Sequence, residues 1–299
     1  MAPSPAQDRF APVLSRPSYP VTAFVAFAMI GIALVFAQPS LTPPAGPIEE
    51  TGRFGTRIEL NDQTAPGDGF YRHVIAQPGS YVLTGDIDTG SGSGILIESD
   101  NVTLDLNGYT VSGTGELGIV VPTAISGNRE IRGITIRNGR VVGYEFAVEG
   151  IDFAFFNGAV VRFTSTLVAD LDVRATVVGI NIERGIVDRC NVVSRITGVE
   201  IARGIVRDTV VRLRDSTTAT AVGINALFAN IEGCTVDTTG SGATNSVGIR
   251  LEESLARGCH VNATDDGFVL NGQSVATDCL SFAPSNIIQL GAQTFSSNF

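Results

Sequence analysis

From Gly179 onward one pattern recurs: Gly, an apolar residue, any residue, an apolar residue, then a Cys or Thr eleven places after the Gly and a Val two places later. It reads GINIERGIVDRCNV from Gly179, GVEIARGIVRDTVV from Gly198, GINALFANIEGCTV from Gly223 and GIRLEESLARGCHV from Gly248, with small departures at the fourth position. A fifth copy, GFVLNGQSVATDCLS from Gly267, carries its Cys one place later. The glycines are 19, 25, 25 and 19 residues apart, so the repeat core is constant and one loop takes up the difference. A fixed internal period constrains a chain more than composition does, because each unit must bury its apolar face against the next.

The apolar elements of this repeat are three to five residues long, β-branched, and separated by Gly, Asn and Asp. No i, i+3, i+4 stripe runs through them, which excludes a helical repeat. The expectation is an all-β chain wound as a right-handed parallel β-helix, since parallel crossovers are right-handed. Gly94-Ile95-Leu96-Ile97 and Gly118-Ile119-Val120-Val121 repeat the opening of the unit, and NVTLDLNGYTVSG (Asn101–Gly113) matches GITIRNGRVVG (Gly133–Gly143). Asn107-Gly108 and Asn138-Gly139 are expected as stacked turns, where Asn and Gly tolerate positive φ. About ten coils of 19–25 residues result, with residues 57–94 as cap and first coil and 95–299 as the main helix.

The segment PGSYVLTGDI (Pro78–Ile87), followed by GILIESDNVTLDLNGYTVSG and GITIRNGRVVG, resembles the opening coils of bacterial right-handed β-helix repeat proteins of the pectin-lyase-like superfamily. The resemblance covers about residues 70–290. It implies the fold, and it implies a choice of roles: polysaccharide lyases, glycoside hydrolases, sugar epimerases, tailspikes and adhesins share that architecture.

Residues 1–20 are polar with Arg9 and Arg16, and Val21 to Ala37 is an uncharged apolar run of 17 residues. QPSLTPPAGPIEE follows, a Pro-rich linker. This is the order of a secretory signal, with Val35 and Ala37 where a peptidase reads small residues. Residues 1–38 are therefore a signal peptide or a retained anchor, residues 39–56 a linker, and the rest of the chain is exported (extracellular, periplasmic, or anchored with the β-helix outside the cytoplasm). No Cys stands near the exit site, which argues against a lipoprotein. Contact with the membrane is expected only through this segment. The net charge is −10 and no lysine is present, all 20 basic residues being Arg. Nucleic acid, which needs clustered cations, is not an expected partner, and lysine-dependent chemistry is excluded.

Cys190, Cys234 and Cys259 share one repeat position, Thr209 takes it in the intervening coil, and Cys279 is displaced by one. An even count in an exported chain suggests disulfides. Stacking at about 4.8 Å per coil instead favours a ladder of buried thiols, because that spacing is wide for the Cβ atoms of a relaxed bridge. Nine residues after the repeat Gly stand Asp188, Arg207, Glu232 and Arg257, an alternating charge ladder read as a register lock.

Two places suggest function. Two residues after each repeat Gly lie Asn181, Glu200, Asn225 and Arg250, an outward row able to hydrogen-bond a sugar chain, or else an ordinary polar exterior. Asn262-Ala263-Thr264-Asp265-Asp266 holds the best catalytic candidates: paired carboxylates Asp265 and Asp266 with Arg250 nearby can split acid and base roles, or serve as a polar turn before Gly267. Polygalacturonase-like members carry Gly-His-Gly and Arg-Ile-Lys motifs after such carboxylates, and this chain has neither. The calcium-binding Asp cluster of pectate-lyase-like members cannot be assembled on one face, so no cofactor is expected and calcium has no clear site. The Phe-rich stretch Ile151–Phe163 reads as a large core coil or an exposed patch. The sequence thus points to an exported polysaccharide- or surface-binding solenoid without catalysis, with a polysaccharide lyase or glycosidase as the alternative.

Overall fold

A computed structural model describes residues 56–122, 131–150, 165–216, 218–290 and 294–296. The apolar N-terminal segment expected to be a signal peptide or anchor, the linker up to residue 55 and the Phe-rich stretch Ile151–Phe163 lie outside the described residues. Every regular element among the described residues is a β-strand, and every ladder is parallel. The strands stack into three sheets that form the sides of a parallel β-helix. The first sheet runs from Tyr71–Ile75 to Ser285–Leu290 through ten rungs. The second has eleven, from Ile58–Glu59 to Thr294–Ser296. The third has nine, from Ile87–Asp88 to Leu280–Phe282.

After Ile180 the coils keep the 19 and 25 residues of the sequence repeat, as in the pairings Ile180–Val199 and Val199–Ile224. Before it they are longer: 29 residues separate Ile119 from Val148, and 32 separate Val148 from Ile180.

The interior is a set of vertical stacks. Ile95, Ile119, Val148, Ile180, Val199, Ile224, Ile249 and Phe268 lie above one another with essentially no exposure. Each contributes roughly 1.5–3 kcal/mol by leaving water. The repeat glycine has a steric cause. A Cβ added at Gly179, Gly198, Gly223 or Gly248 would run into Cγ1 of Val192, Val211, Val236 or Val261 on the third sheet. The Gly and the Val thirteen places on are therefore two halves of one contact across the corner between third and first sheets.

The corner from second to third sheet turns through a left-handed residue in successive coils: Asn107, Asn138, Asp170, Arg189, Asp208, Gly233, Gly258 and Asp278 all have φ between 49° and 62°. Asn, Asp and Gly reach this region at least cost. His73 is buried inside the first rung, with Nδ1 2.8 Å from the Ala65 carbonyl of the opening segment.

Cys190, Cys234, Cys259 and Cys279 are all free and buried. Cys279 stands directly beneath Cys259, whose backbone N–H points at its Sγ at 3.4 Å. One extra residue in the turn around Gly272-Gln273 restores the register, as Leu255 opposite Val275 shows. Burial pushes the Cys190 thiol up to about 11, as expected of a core residue rather than a reactive one.

The charge ladder on the second sheet is in register, but only its first pair closes. Arg207 donates to both oxygens of Asp188, at 2.9 and 3.2 Å, and Arg189 adds a further contact to Asp188 while bonding Asp170 at 2.8 and 2.9 Å. Among the described residues no ion pair within 4 Å joins Arg207 to Glu232 or Glu232 to Arg257. Arg207 is already committed to Asp188, and Arg257 lies 3.9 Å from Asp278. Asp188 is 3% exposed. The hydrogen bonds from Arg207, then the charges of Arg207 and Arg189, outweigh burial and hold its carboxyl below the usual range. That contribution is complete above the unfolded aspartate value near ~3.9 and is lost as pH falls through the lower folded value. Replacement Asp188→Ala is expected to cost about 2–3 kcal/mol in urea unfolding at pH 7. This is less than a fully buried broken pair, because both arginines can turn to water.

Candidate functional site

The outward position of the first sheet forms one straight row: Val74, Leu96, Val120, Glu149, Asn181, Glu200, Asn225, Arg250, Val269 and Ile288. The four residues expected from sequence to cradle a ligand are thus brought together on consecutive coils, about 4.8 Å apart. Asn225 Nδ2 donates to Glu200 Oε1 at 3.2 Å. Alternation in each strand sends Ile180, Val199, Ile224 and Ile249 inward and leaves these polar neighbours outside.

Sequence reasoning missed the fifth polar member, Glu149. Its strand, Phe146–Gly150, has Ala147 where the rungs on either side have Gly118 and Gly179, and the long coils on either side hide the phase. The usable signal was the offset: Glu149 follows Ala147 by the same two places that separate Asn181 from Gly179.

Glu149 is 6% exposed, and its Oε2 has no hydrogen-bond partner among the described residues. Burial, with the charge of Glu116 added, pushes its carboxyl up to about 7. It adjoins a second apolar cluster outside the coil interior, made of Leu96, Leu117 and Val120 with Tyr71, Val74 and Phe146 against them. The Tyr71 phenol is raised by its own burial and then by Glu149, Asp68, Glu116 and Glu98. An open cleft of about 380 Å³ borders the same tyrosine, lined also by Asp62, Phe70, Arg72, Thr89 and Ser93. Phe70 packs edge-on to Tyr71 and is half-exposed, and Arg72 pairs with Asp62 at 3.1 Å.

Asp265 and Asp266 lie beside the other end of the row. Asp265 Oδ2 accepts the backbone N–H of Ser246 in the preceding coil at 2.7 Å, and its carbonyl accepts the Ser285 N–H at 3.0 Å. Ser246 and Thr264 also join through their hydroxyls. Asp265 is thus part of a staple between turns. Asp266 occupies the adjacent outward row, between Val247 and Ser285, next to the small apolar cluster Val222, Val247 and Val269. Burial and then the Asp265 charge raise its carboxyl, while Ser285 and Arg250 act in the opposite direction. No ion pair within 4 Å links Arg250 to either aspartate among the described residues. His260 faces outward from the third sheet, between Thr235 and Leu280, and does not converge on them.

Among the described residues no three acidic, imidazole or thiol side chains are placed to hold a metal ion. Compared with known proteins, the chain matches no family model, no curated protein and no solved structure.

Proposed function

We propose that the chain is an exported β-helix of the pectin-lyase-like kind that binds a polysaccharide or a cell-surface component along its first sheet, without cleaving it. The observation that carries this reading is the row Asn181, Glu200, Asn225, Arg250, four part-exposed polar side chains in register on consecutive coils, continued by the buried Glu149. A repeating ligand matches a repeating row, because each added unit meets another rung. The export segment and the net charge of −10 agree with an extracellular or periplasmic role.

The alternative, a lyase or glycosidase, needs Asp265 and Asp266 free to exchange protons with a substrate. Asp265 is already occupied by the Ser246 N–H, which favours the turn role over the catalytic one.

The test is a panel of acidic, neutral and amine-bearing polysaccharides offered to the full chain in mild detergent, with and without calcium. Retention, unsaturated products and reducing ends are all followed. The expected result is retention of at least one polymer with no new ends. Cleavage that disappears in the Asp265→Asn/Asp266→Asn double variant would replace this reading with the enzyme one.

A further inference from the structure

The N-terminal end of the outer row is built differently from the rest. Glu149 is buried with Oε2 unpartnered, which costs stability and calls for a ligand group to satisfy it. The charged groups that act on this corner are all acidic: Glu116 on Glu149, and Asp68, Glu98, Glu116 and Glu149 on the phenol of Tyr71. No arginine is among the groups with the largest effect on either residue, and Arg72, the nearest in sequence, is paired with Asp62. Beneath lies the apolar floor of Leu96, Leu117, Val120 and Val74. Among the described residues no group of these carboxylates is placed to hold a metal ion. A compact cation with its own hydrogen-bond donors answers every feature: an ammonium offers three N–H groups, charge-assisted bonds to carboxylate and a favourable contact with the Tyr71 ring.

We propose that the outer side of the first sheet around Glu149 is a binding site for a primary ammonium group, so that the glycan taken by this face carries free amines rather than carboxylates. This rests on the polysaccharide reading above. Glu149 anchors the ammonium, Tyr71 and Glu116 flank it, and Asn181, Glu200 and Asn225 meet the hydroxyls of the sugars that follow. Cation binding ionises Glu149 and releases a proton. With a carboxyl near 7 only about a tenth is ionised at pH 6, so affinity for an always-cationic probe drops about tenfold from pH 8 to pH 6.

Calorimetric titration of the full chain in mild detergent tests this with four probes: a glucosamine tetramer, its N-acetylated counterpart, an oligogalacturonate and spermidine. The expected result is that the glucosamine tetramer binds at least tenfold more tightly than its acetylated form and that the oligogalacturonate does not bind. Spermidine should weaken about tenfold from pH 8 to pH 6, and Glu149→Gln should remove the amine preference while the chain still unfolds cooperatively. Equal binding of free and acetylated tetramers, or a Glu149→Gln variant that keeps the preference, overturns the ammonium site and leaves the glycan reading standing. Spermidine binding without any glycan binding overturns the glycan part and keeps the ammonium site. Binding of none of the four overturns the ammonium site, and the polysaccharide panel then decides the wider reading by itself.

Discussion

Replacing Gly223 by alanine is expected to cost at least about 3 kcal/mol in urea unfolding, while Gly258→Ala costs about 1. The two glycines differ in why they are glycines. Gly223 lies within an extended strand, and a Cβ there would strike Val236 Cγ1 and stand 2.5 Å from the carbonyl oxygen of Gly248 in the next coil. The valine belongs to the core stack of the third sheet, and the carbonyl is fixed by the ladder. Neither can yield without opening hydrogen bonds. Gly258 has φ of 62° and open space where its Cβ would go, so only the left-handed backbone resists substitution. Adding Val236→Ala to Gly223→Ala should recover about half of the loss, because it removes the side-chain clash and leaves the carbonyl. Far-UV circular dichroism against urea reads all three variants. Equal costs at Gly223 and Gly258 would refute the contact between the repeat Gly and Val.

The second large effect depends on pH. In the unfolded chain a glutamate titrates near 4.5, whereas folding raises Glu149 to about 7 through burial. The folded state therefore holds a proton that the unfolded state releases between those values. Stability attributable to this residue falls as pH rises across the window, by about 3 kcal/mol at ~1.36 kcal/mol per unit. The variant Glu149→Gln keeps the shape and removes the titration. Relative to the parent it should gain about 3 kcal/mol between pH 4.5 and pH 8. Asp188, Asp105 and Asp237 are lowered rather than raised, so their contributions are lost only in more acidic solution. Urea midpoints at the two pH values measure the difference; a variant that tracks the parent at both would mean that Glu149 is solvated. A residue that destabilises the fold at neutral pH fits a binding role better than a structural one.

The fold was legible because the solenoid writes its geometry into every coil. Inward residues recur, and the repeat Gly faces a Val at a constant offset, so the register of Asn181, Glu200, Asn225 and Arg250 followed from counting. Three things did not. Glu149 was hidden because Ala147 replaces the repeat Gly and because neighbouring coils of 29 and 32 residues break the count. Cys279 looked displaced because a turn can absorb a residue while the strands on either side stay paired. The charge ladder looked uniform, yet Arg207 turns its Nε and Nη2 to Asp188 and makes no ion pair with Glu232 among the described residues. Side-chain commitments of that kind, like the hold of Asp265 on the Ser246 N–H, depend on which neighbour lies closest in space and leave no trace in spacing.

On the reading proposed above, one outer face, the first sheet, carries the binding surface. The direct measurement is the affinity of the full chain for the polysaccharide it retains most tightly, compared between two double variants. Asn181→Ala/Asn225→Ala strips the first-sheet row, and Thr235→Ala/His260→Ala strips a more exposed pair on the third sheet. At least a tenfold loss is expected for the first and no change for the second. Equal losses, or none for the first, would contradict it.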